Sequence, residues 1–382
     1  MNIMKYRRLI LAAAMVLCGL AACDKNPYGP TGYQPDNGGK EEEEEKEDTP
    51  EVVVPATFAK GADISWVTQM EEDGVEFYNA TGKETECTEL MKELGFNSIR
   101  LRVWVDPEDG WCNSEDVLEK AFRAYNLGMR LMIDFHYSDT WADPSNQTPP
   151  AAWKSYKVDE MTEAVAKHTT DVLQAMKEVG IDVEWVQVGN EINSGMLHPL
   201  GDITQPANIP NFVKFVNAGY DAVKAVYPEA KVILHRSNGQ ETDKFAWFLN
   251  VLKVQKVKYD IIGMSLYPIW WENGSNGWNA GWKSVISNCL DNVRNFSSTY
   301  GKPVMICEIG VPVSEPQMSK EAVKMILDGT REIESCHGVF YWEPQTDGVW
   351  KPSSYAALGW NAYDKGAFKD GKATAILDAF KE

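Results

Sequence analysis

Two glutamates stand where this chain could do acid–base chemistry. Glu191 ends the run Val188-Gly189-Asn190-Glu191, and Glu308 ends Met305-Ile306-Cys307-Glu308. Short apolar runs of this kind read as β-strands, so each carboxyl is delivered at a strand's end rather than on a solvated helix face. Two carboxyls in one site, one kept protonated by its neighbour and one ionised, are the minimum equipment for cutting a glycosidic bond. Either glutamate alone could instead cap the next helix or pair with Arg100 or Arg102. The case for chemistry rests on whether one fold brings both to the same place.

The elements that would do so are legible. Strand-like runs recur at Ala59–Ile64, Ser98–Val103, Arg130–Phe135, Val183–Val188, Val232–Leu234, Ile261–Leu266, Val304–Cys307 and Gly338–Tyr341. Amphipathic helical patterns follow them at Thr85–Leu94, Ser114–Leu127, Glu160–Glu178, Asn211–Val226, Lys244–Lys253, Gly281–Tyr300, Lys320–Ile333 and Thr374–Lys381. Ser114 with Asp116 marks a helix start, and Leu94-Gly95 and Leu127-Gly128 mark helix stops. Eight β/α units without a Gly-x-Gly-x-x-Gly turn after the first strand favour an α/β fold of the (β/α)8 TIM-barrel kind over a doubly wound dinucleotide fold. Strands four and seven then lie across one mouth, with Glu191 facing Glu308.

In such barrels the chemistry gathers at the carboxyl ends of the strands. The polar residues found there are Asp63 and Ser65, Arg100 and Arg102, Asp134 and His136, Asn190 and Glu191, His235, Tyr267, Glu308, and Trp342 with Glu343. Solvation alone would scatter such groups along helices. Arg100 and Arg102, two residues apart, share one face of their strand, so either could keep Glu308 ionised. His136 has no second histidine at ligand spacing, and no metal or cofactor is expected.

Composition agrees. Lys+Arg 37 against Asp+Glu 56 gives a net charge of −19, the wrong sign for a nucleic-acid partner. Hydrophobic residues at 44% and charged residues at 24% exclude a wholly disordered or fibrous chain. The 14 Trp and 15 Tyr are numerous, and flat aromatic faces suit sugar rings as well as cores. Trp66, Trp104, Trp141, Trp270, Trp271, Trp342 and Trp360 fall at strand ends or in the loops behind.

The amino terminus reads as an address. Lys5, Arg7 and Arg8 precede the apolar run Leu9 to Ala22, shorter than the roughly 20 residues that span a bilayer. Residues 1–22 are therefore expected to be a signal peptide. Leu20-Ala21-Ala22-Cys23 resembles a bacterial lipobox, which implies cleavage before Cys23 and its lipidation; an ordinary secretory peptide with Cys23 incidental is the alternative. Residues 23–57, rich in Pro and Gly and then in Glu, read as a flexible acidic tether, with an acidic partner-binding tail as the other reading. The catalytic domain is expected over 58–382. Beyond Cys18 and Cys23, the odd number of cysteines leaves at least one thiol free; Cys87 with Cys112 is one pairing the sequence leaves open.

The segments Gly61-Ala62-Asp63-Ile64-Ser65, Ser98 to Trp104, Asp134-Phe135-His136-Tyr137-Ser138-Asp139-Thr140-Trp141-Ala142-Asp143-Pro144, Gly189-Asn190-Glu191-Ile192-Asn193, Ser265-Leu266-Tyr267-Pro268 and Tyr341-Trp342-Glu343-Pro344 together resemble glycoside hydrolase family 53. The Ser138–Pro144 stretch is specific to that family, whereas an Asn-Glu pair alone would mark only the wider clan. The resemblance implies a retaining endo-β-1,4-galactanase acting on arabinogalactan, the side chains of pectin. Glu191 would be the acid/base and Glu308 the nucleophile. Asn190 would bind the sugar 2-hydroxyl, Tyr267 would donate to Glu308, and Trp342 would lie under the sugar being cleaved. Asp63, Arg100, Arg102, Asp134, His136, Asp139, Trp141 and His235 complete the expected substrate-binding set.

Three departures from the family pattern stand out. His198 occupies a position where the family usually has Trp, Arg236-Ser237 replaces commonly acidic residues, and the loop after Glu308 (Ile309 to Met318) is short. In bacterial relatives a longer loop there helps hold calcium, so no calcium is expected at that position. The expected partners are β-1,4-galactan and galactooligosaccharides, with a membrane reached only through the lipid anchor, in a monomer held at the outer membrane of the cell envelope. A hydrolase of another β-1,4-glycan, or an inactive surface glycan-binding lipoprotein, are the rival readings.

Overall fold

The computed structural model describes residues 58–269 and 281–382. The expected signal peptide, Cys23, the expected tether and the pair Trp270 and Trp271 lie outside the described residues.

The chain builds β1 (Ala59–Asp63), α1 (Val67–Glu72), α2 (Cys87–Glu93), β2 (Ser98–Val103), α3 (Ser114–Asn126) and β3 (Arg130–Phe135). Next come α4 (Val158–Glu178), β4 (Trp185–Val188), α5 (Ile209–Val226), β5 (Lys231–Arg236), α6 (Thr242–Val254) and β6 (Ile261–Leu266). The last part holds α7 (Trp282–Tyr300), β7 (Val304–Ile309), α8 (Pro316–Arg331), β8 (Cys336–Trp342), α9 (Ser353–Ala357) and α10 (Asp378–Lys381). The eight strands close in sequence order into one parallel barrel, with β1 pairing both β2 and β8. The expected TIM barrel is observed. No helix among the described residues is long and apolar enough to cross a membrane.

Local sequence explains several boundaries. Helix α3 starts at the expected Ser114 and is capped by Asn113, whose side chain accepts from the Asp116 backbone N–H. Gly95 and Gly128 follow their helices at φ 94° and 69°, a left-handed turn that any side chain would strain. All five cysteines of the described part are free and buried, so Cys87 and Cys112 are not bridged.

Two packed layers follow from the alternation of strand side chains. Outward-facing residues meet the helices in one large apolar core. Inward-facing residues form a smaller plug of Ala59, Met132, Trp185, Ile233, Ile261, Met305, Cys307 and Phe340. Size matching fixes this plug: a Cβ on Gly61 would sit 2.1 Å from the Phe340 ring, which instead lies edge-on to Trp185 with centroids 6.0 Å apart. Above the plug, toward the carboxyl ends, the inward residues turn polar.

Strand β7 departs from regular alternation. Its pairing with β6 runs Met264 to Ile306 and then Ser265 to Glu308, skipping Cys307. This β-bulge makes Cys307 and Glu308, neighbours in sequence, both face inward. Cys307 joins the apolar plug and Glu308 rises to the mouth. Without the slip, a period of two would point Glu308 at the helices.

Candidate active site

Arg100 is the centre of the polar layer. It is buried and meets three carboxylates: Asp63 at 2.7 Å, Asp134 at 2.9 Å and Glu308 at 2.9 Å. It also donates to Gln187 Oε1 at 2.7 Å and to Asn190 Oδ1 at 3.0 Å. A guanidinium with five fixed N–H donors can hold so many acceptors at once; a lysine could not. Burial would raise the Asp134 carboxyl, but Arg100 and His136 outweigh it and hold it below the usual range.

Each candidate catalytic carboxyl sits in its own environment. Glu308 Oε1 meets Arg100, and its Oε2 accepts from the Tyr267 hydroxyl at 2.9 Å. Glu191 Oε1 accepts from the Ser265 hydroxyl at 2.6 Å. Ser265, the strand partner of Glu308, and Tyr267 just beyond β6 thus serve the two carboxyls from one strand and its end. Burial pushes Glu191 up to about 8, with the Glu308 charge adding to the rise. Burial also raises Glu308, but Arg100 and the Tyr267 hydrogen bond restrain it to about 7. Glu308 therefore ionises first, and its charge keeps the proton on Glu191.

Behind these groups lies a line of polar contacts. His235 is fully buried, and burial holds it neutral. Its Nε2 lies 2.8 Å from Ser265 Oγ, whose own proton goes to Glu191, so His235 is the donor there. His136 Nδ1 accepts from Trp104 Nε1 and from the Ala142 N–H, both at 3.1 Å. The proton on His136 is thereby assigned to Nε2, which donates to Asp134 at 3.1 Å.

Arg102 serves a different partner from Arg100. It donates to Glu343 Oε1 at 2.8 Å, and Glu343 Oε2 accepts from the Trp66 backbone N–H and from Gln345 Nε2. The guanidinium lies against the rings of Trp66, Trp104 and Trp141, 5.2, 5.3 and 4.5 Å from their centroids. Its Nε and Nη2 have no hydrogen-bond partner, and the aromatic faces surround them instead. Trp342 packs on Trp66 at 5.1 Å and Trp141 at 6.0 Å, and Trp360 on the loop after β8 continues the set with 41% of its surface exposed. An ion pair among indoles packed edge to face or tilted is thus built into the wall beside the carboxyls.

Residues 59–381 match the model of glycosyl hydrolase family 53. The chain belongs to that family. An arabinogalactan endo-β-1,4-galactanase A from Aspergillus niger is 32% identical over 330 residues, covering 80% of this chain and 88% of the relative. Among solved structures, one reported for two fungal β-1,4-galactanases matches with a TM-score of 0.73 and 29% identity, over 85% of this chain and 98% of that one. The family 53 catalytic domain of Ignisphaera aggregans matches with the same score and identity, over 86% and 97% of the two chains.

Within this family 53 barrel, the structure brings Glu191 and Glu308 to one mouth with Asn190, Tyr267, Trp141 and Trp342 around them. Of the two arginines, Arg100 alone pairs with Glu308; Arg102 is held away by Glu343. Of the expected substrate-binding set, Asp63, Arg100, Arg102, Asp134 and His235 lie buried beneath the mouth, each held by other side chains of the barrel. Asp63 accepts from Arg100 and from the Ser65 hydroxyl and N–H. Asp139 accepts the backbone N–H groups of Asp106 and Ala151, pinning two loops. The physical reason is common to all: a charge inside a barrel needs partners, and the nearest are other strand-end residues. Gln187, Ser265 and Gln147 were missed. A polar residue at an inward position of an apolar strand, as in Trp185-Val186-Gln187-Val188, was the available signal for the first two.

Proposed function

We propose that the chain is a retaining endo-β-1,4-galactanase in which Glu191 is the acid/base and Glu308 the nucleophile. The observation that carries this reading is the unequal support of the two carboxyls: Arg100 and Tyr267 hold Glu308 toward its ionised form, whereas Glu191 is kept protonated beside it. Glu308 would attack C1 while Glu191 protonates the departing oxygen, leaving a glycosyl ester on Glu308. Glu191, now ionised, would take a proton from water as that water attacks C1 and frees Glu308. Retention asks for carboxyls about 5–5.5 Å apart, against roughly 6.5–9.5 Å for inversion. Asn190 Nδ2 donates to the Ala142 carbonyl, which fixes its amide plane at the edge of the site where a sugar 2-hydroxyl would lie.

The substrate assignment draws on the relative's printed activity, and the aromatic wall from Trp342 to Trp360 suits a polymer lying in an open cleft. Digestion of linear β-1,4-galactan, with the first-formed anomer followed by NMR, tests the whole reading. Internal cleavage to β-configured ends is expected, and Glu308→Ala should abolish turnover while retaining galactan binding. α-Configured first products, or unchanged hydrolysis by the variant, would end it.

We propose further that Cys23 is acylated and that residues 23–57 tether the enzyme to the cell envelope. Fatty-acid labelling lost in Cys23→Ala is the expected outcome; labelling that persists would refute it.

A further inference from the structure

Glu191 has backbone φ 45°, a left-handed conformation that costs a non-glycine residue energy unless its surroundings impose it. Gly189, two residues before it, is also left-handed, at φ 88°. The Asn193 N–H closes the turn on the Glu191 carbonyl at 2.7 Å and the Ile192 N–H ties it to the His235 carbonyl at 2.9 Å, and a further hold comes from another loop. Gln147, 5% exposed, points its Nε2 at the turn and donates to the carbonyls of Asn190 at 2.9 Å and Glu191 at 3.5 Å. The same amide reaches the Asp143 carbonyl of its own loop at 3.1 Å. On the far side, the Gln147 carbonyl accepts from the His198 N–H at 2.8 Å, so the loop after β4 is gripped at both ends of its first stretch. The amide NH2 supplies two protons to these carbonyls, the 3.5 Å contact sharing one of them, whereas a carboxylate there would repel them.

We infer that Gln147 is a positioning residue for proton transfer: it holds the left-handed turn that aims the Glu191 carboxyl at the leaving oxygen. This rests on Glu191 being the acid/base. Loss of the amide lets the turn relax toward a right-handed backbone and swings the carboxyl off its line, with the nucleophile, Arg100 and the aromatic wall untouched. Misplacing a catalytic group by about 1 Å costs on the order of 100-fold. The loss should therefore appear in each step where Glu191 must give or take a proton and vanish where neither is needed.

The test uses the full protein with Gln147→Met, which keeps the side chain's volume, and Gln147→Ala. Substrates are β-1,4-galactan and 2,4-dinitrophenyl β-1,4-galactobioside, the latter with and without azide. The dinitrophenolate leaves unprotonated. Azide, already an anion, attacks C1 of the glycosyl ester, breaking the bond to Glu308 and releasing its carboxylate without help from a base. Gln147→Met should lose roughly 10–100-fold in kcat on galactan with KM little changed. On the dinitrophenyl substrate azide should raise its turnover severalfold and yield a galactobiosyl azide, while the unaltered enzyme ignores azide. Wild-type rates on galactan, or an equal loss on both substrates with no azide response, would overturn the proposal. Glu191→Ala separates the two ideas: if it ignores azide, the acid/base assignment falls; if it responds and Gln147→Met does not, only the role of Gln147 falls.

Discussion

Replacing Tyr267 by Phe removes a single hydroxyl, the one that donates to Glu308 Oε2 at 2.9 Å, and keeps the buried ring. A hydrogen bond to a charged group is worth about 1.5–3 kcal/mol. It favours only the ionised carboxyl, and each 1.36 kcal/mol is one pH unit, so the ionisation of Glu308 should rise by roughly 1–2 units. Its starting point is about 7. The nucleophile reacts ionised, so a raised value moves the acidic limb of kcat/KM to higher pH. The basic limb is set near 8 by Glu191, whose rise owes part to the Glu308 charge, so a shift of this size brings the two limbs together and lowers the maximum of kcat/KM as it closes the window from the acid side. Well below the limb the variant should be slower than the parent by roughly 10–100-fold, with a smaller difference near the optimum. Profiles of kcat/KM on linear galactan report the free enzyme's groups directly. A uniform loss with an unmoved acidic limb, or a limb displaced to lower pH, would refute the assignment of Tyr267 and Glu308 to one ionising unit.

Glu191 keeps its proton to about 8 in the folded chain against 4.5 as its ordinary value, so the native state binds more protons than the unfolded one between these limits. Stability from this group is full below 4.5 and lost as pH rises through about 8, so Glu191→Gln should melt higher than the parent at alkaline pH and match it under acid, by calorimetry. Glu343→Ala leaves the buried Arg102 charge unpaired, which costs about 3–5 kcal/mol, and should lower the melting temperature and weaken galactan binding as the Trp66–Trp141 wall loosens; an unchanged melting curve would count against the pair's role. The connection between β7 and α8 is short, running from 310 to 315. Dialysis against a chelator should therefore leave activity and melting unchanged, and a stoichiometric calcium in the purified protein would contradict this.

Much of the barrel was legible because its strands are short, apolar and regularly spaced. Ser98–Val103, Arg130–Phe135 and Ile261–Leu266 are observed with the expected ends. Strand β5 was cut short at Leu234 because His235 and Arg236 look like loop residues; in the barrel they remain in the ladder, and the His235 ring is satisfied from neighbouring strands. Strand β7 was ended at Cys307 because a period of two cannot register a bulge. The site divides in the same way. Glu191 and Glu308 were readable from position, since few other forces put carboxyls at the ends of opposite strands. Which arginine serves Glu308 was not, because Arg100 and Arg102 share a face and differ only in depth. Gln147 was invisible: nothing local ties a loop glutamine to a turn more than forty residues away, and only the folded chain brings them together.

The slipped residue on β7 also limits how this barrel can vary. A methyl group on Gly263 would fall 3.0 Å from the Cys307 sulfur and 2.7 Å from Ile233. Any side chain there must displace Ile233 and the thiol together, against the His235 backbone at 3.1 Å, and the carboxylate one residue beyond the thiol would be levered out with it. Positions 233, 263 and 307 thus form a linked set whose joint size sets the height of the nucleophile. Libraries that enlarge 263 while freezing the other two should return mostly dead enzymes.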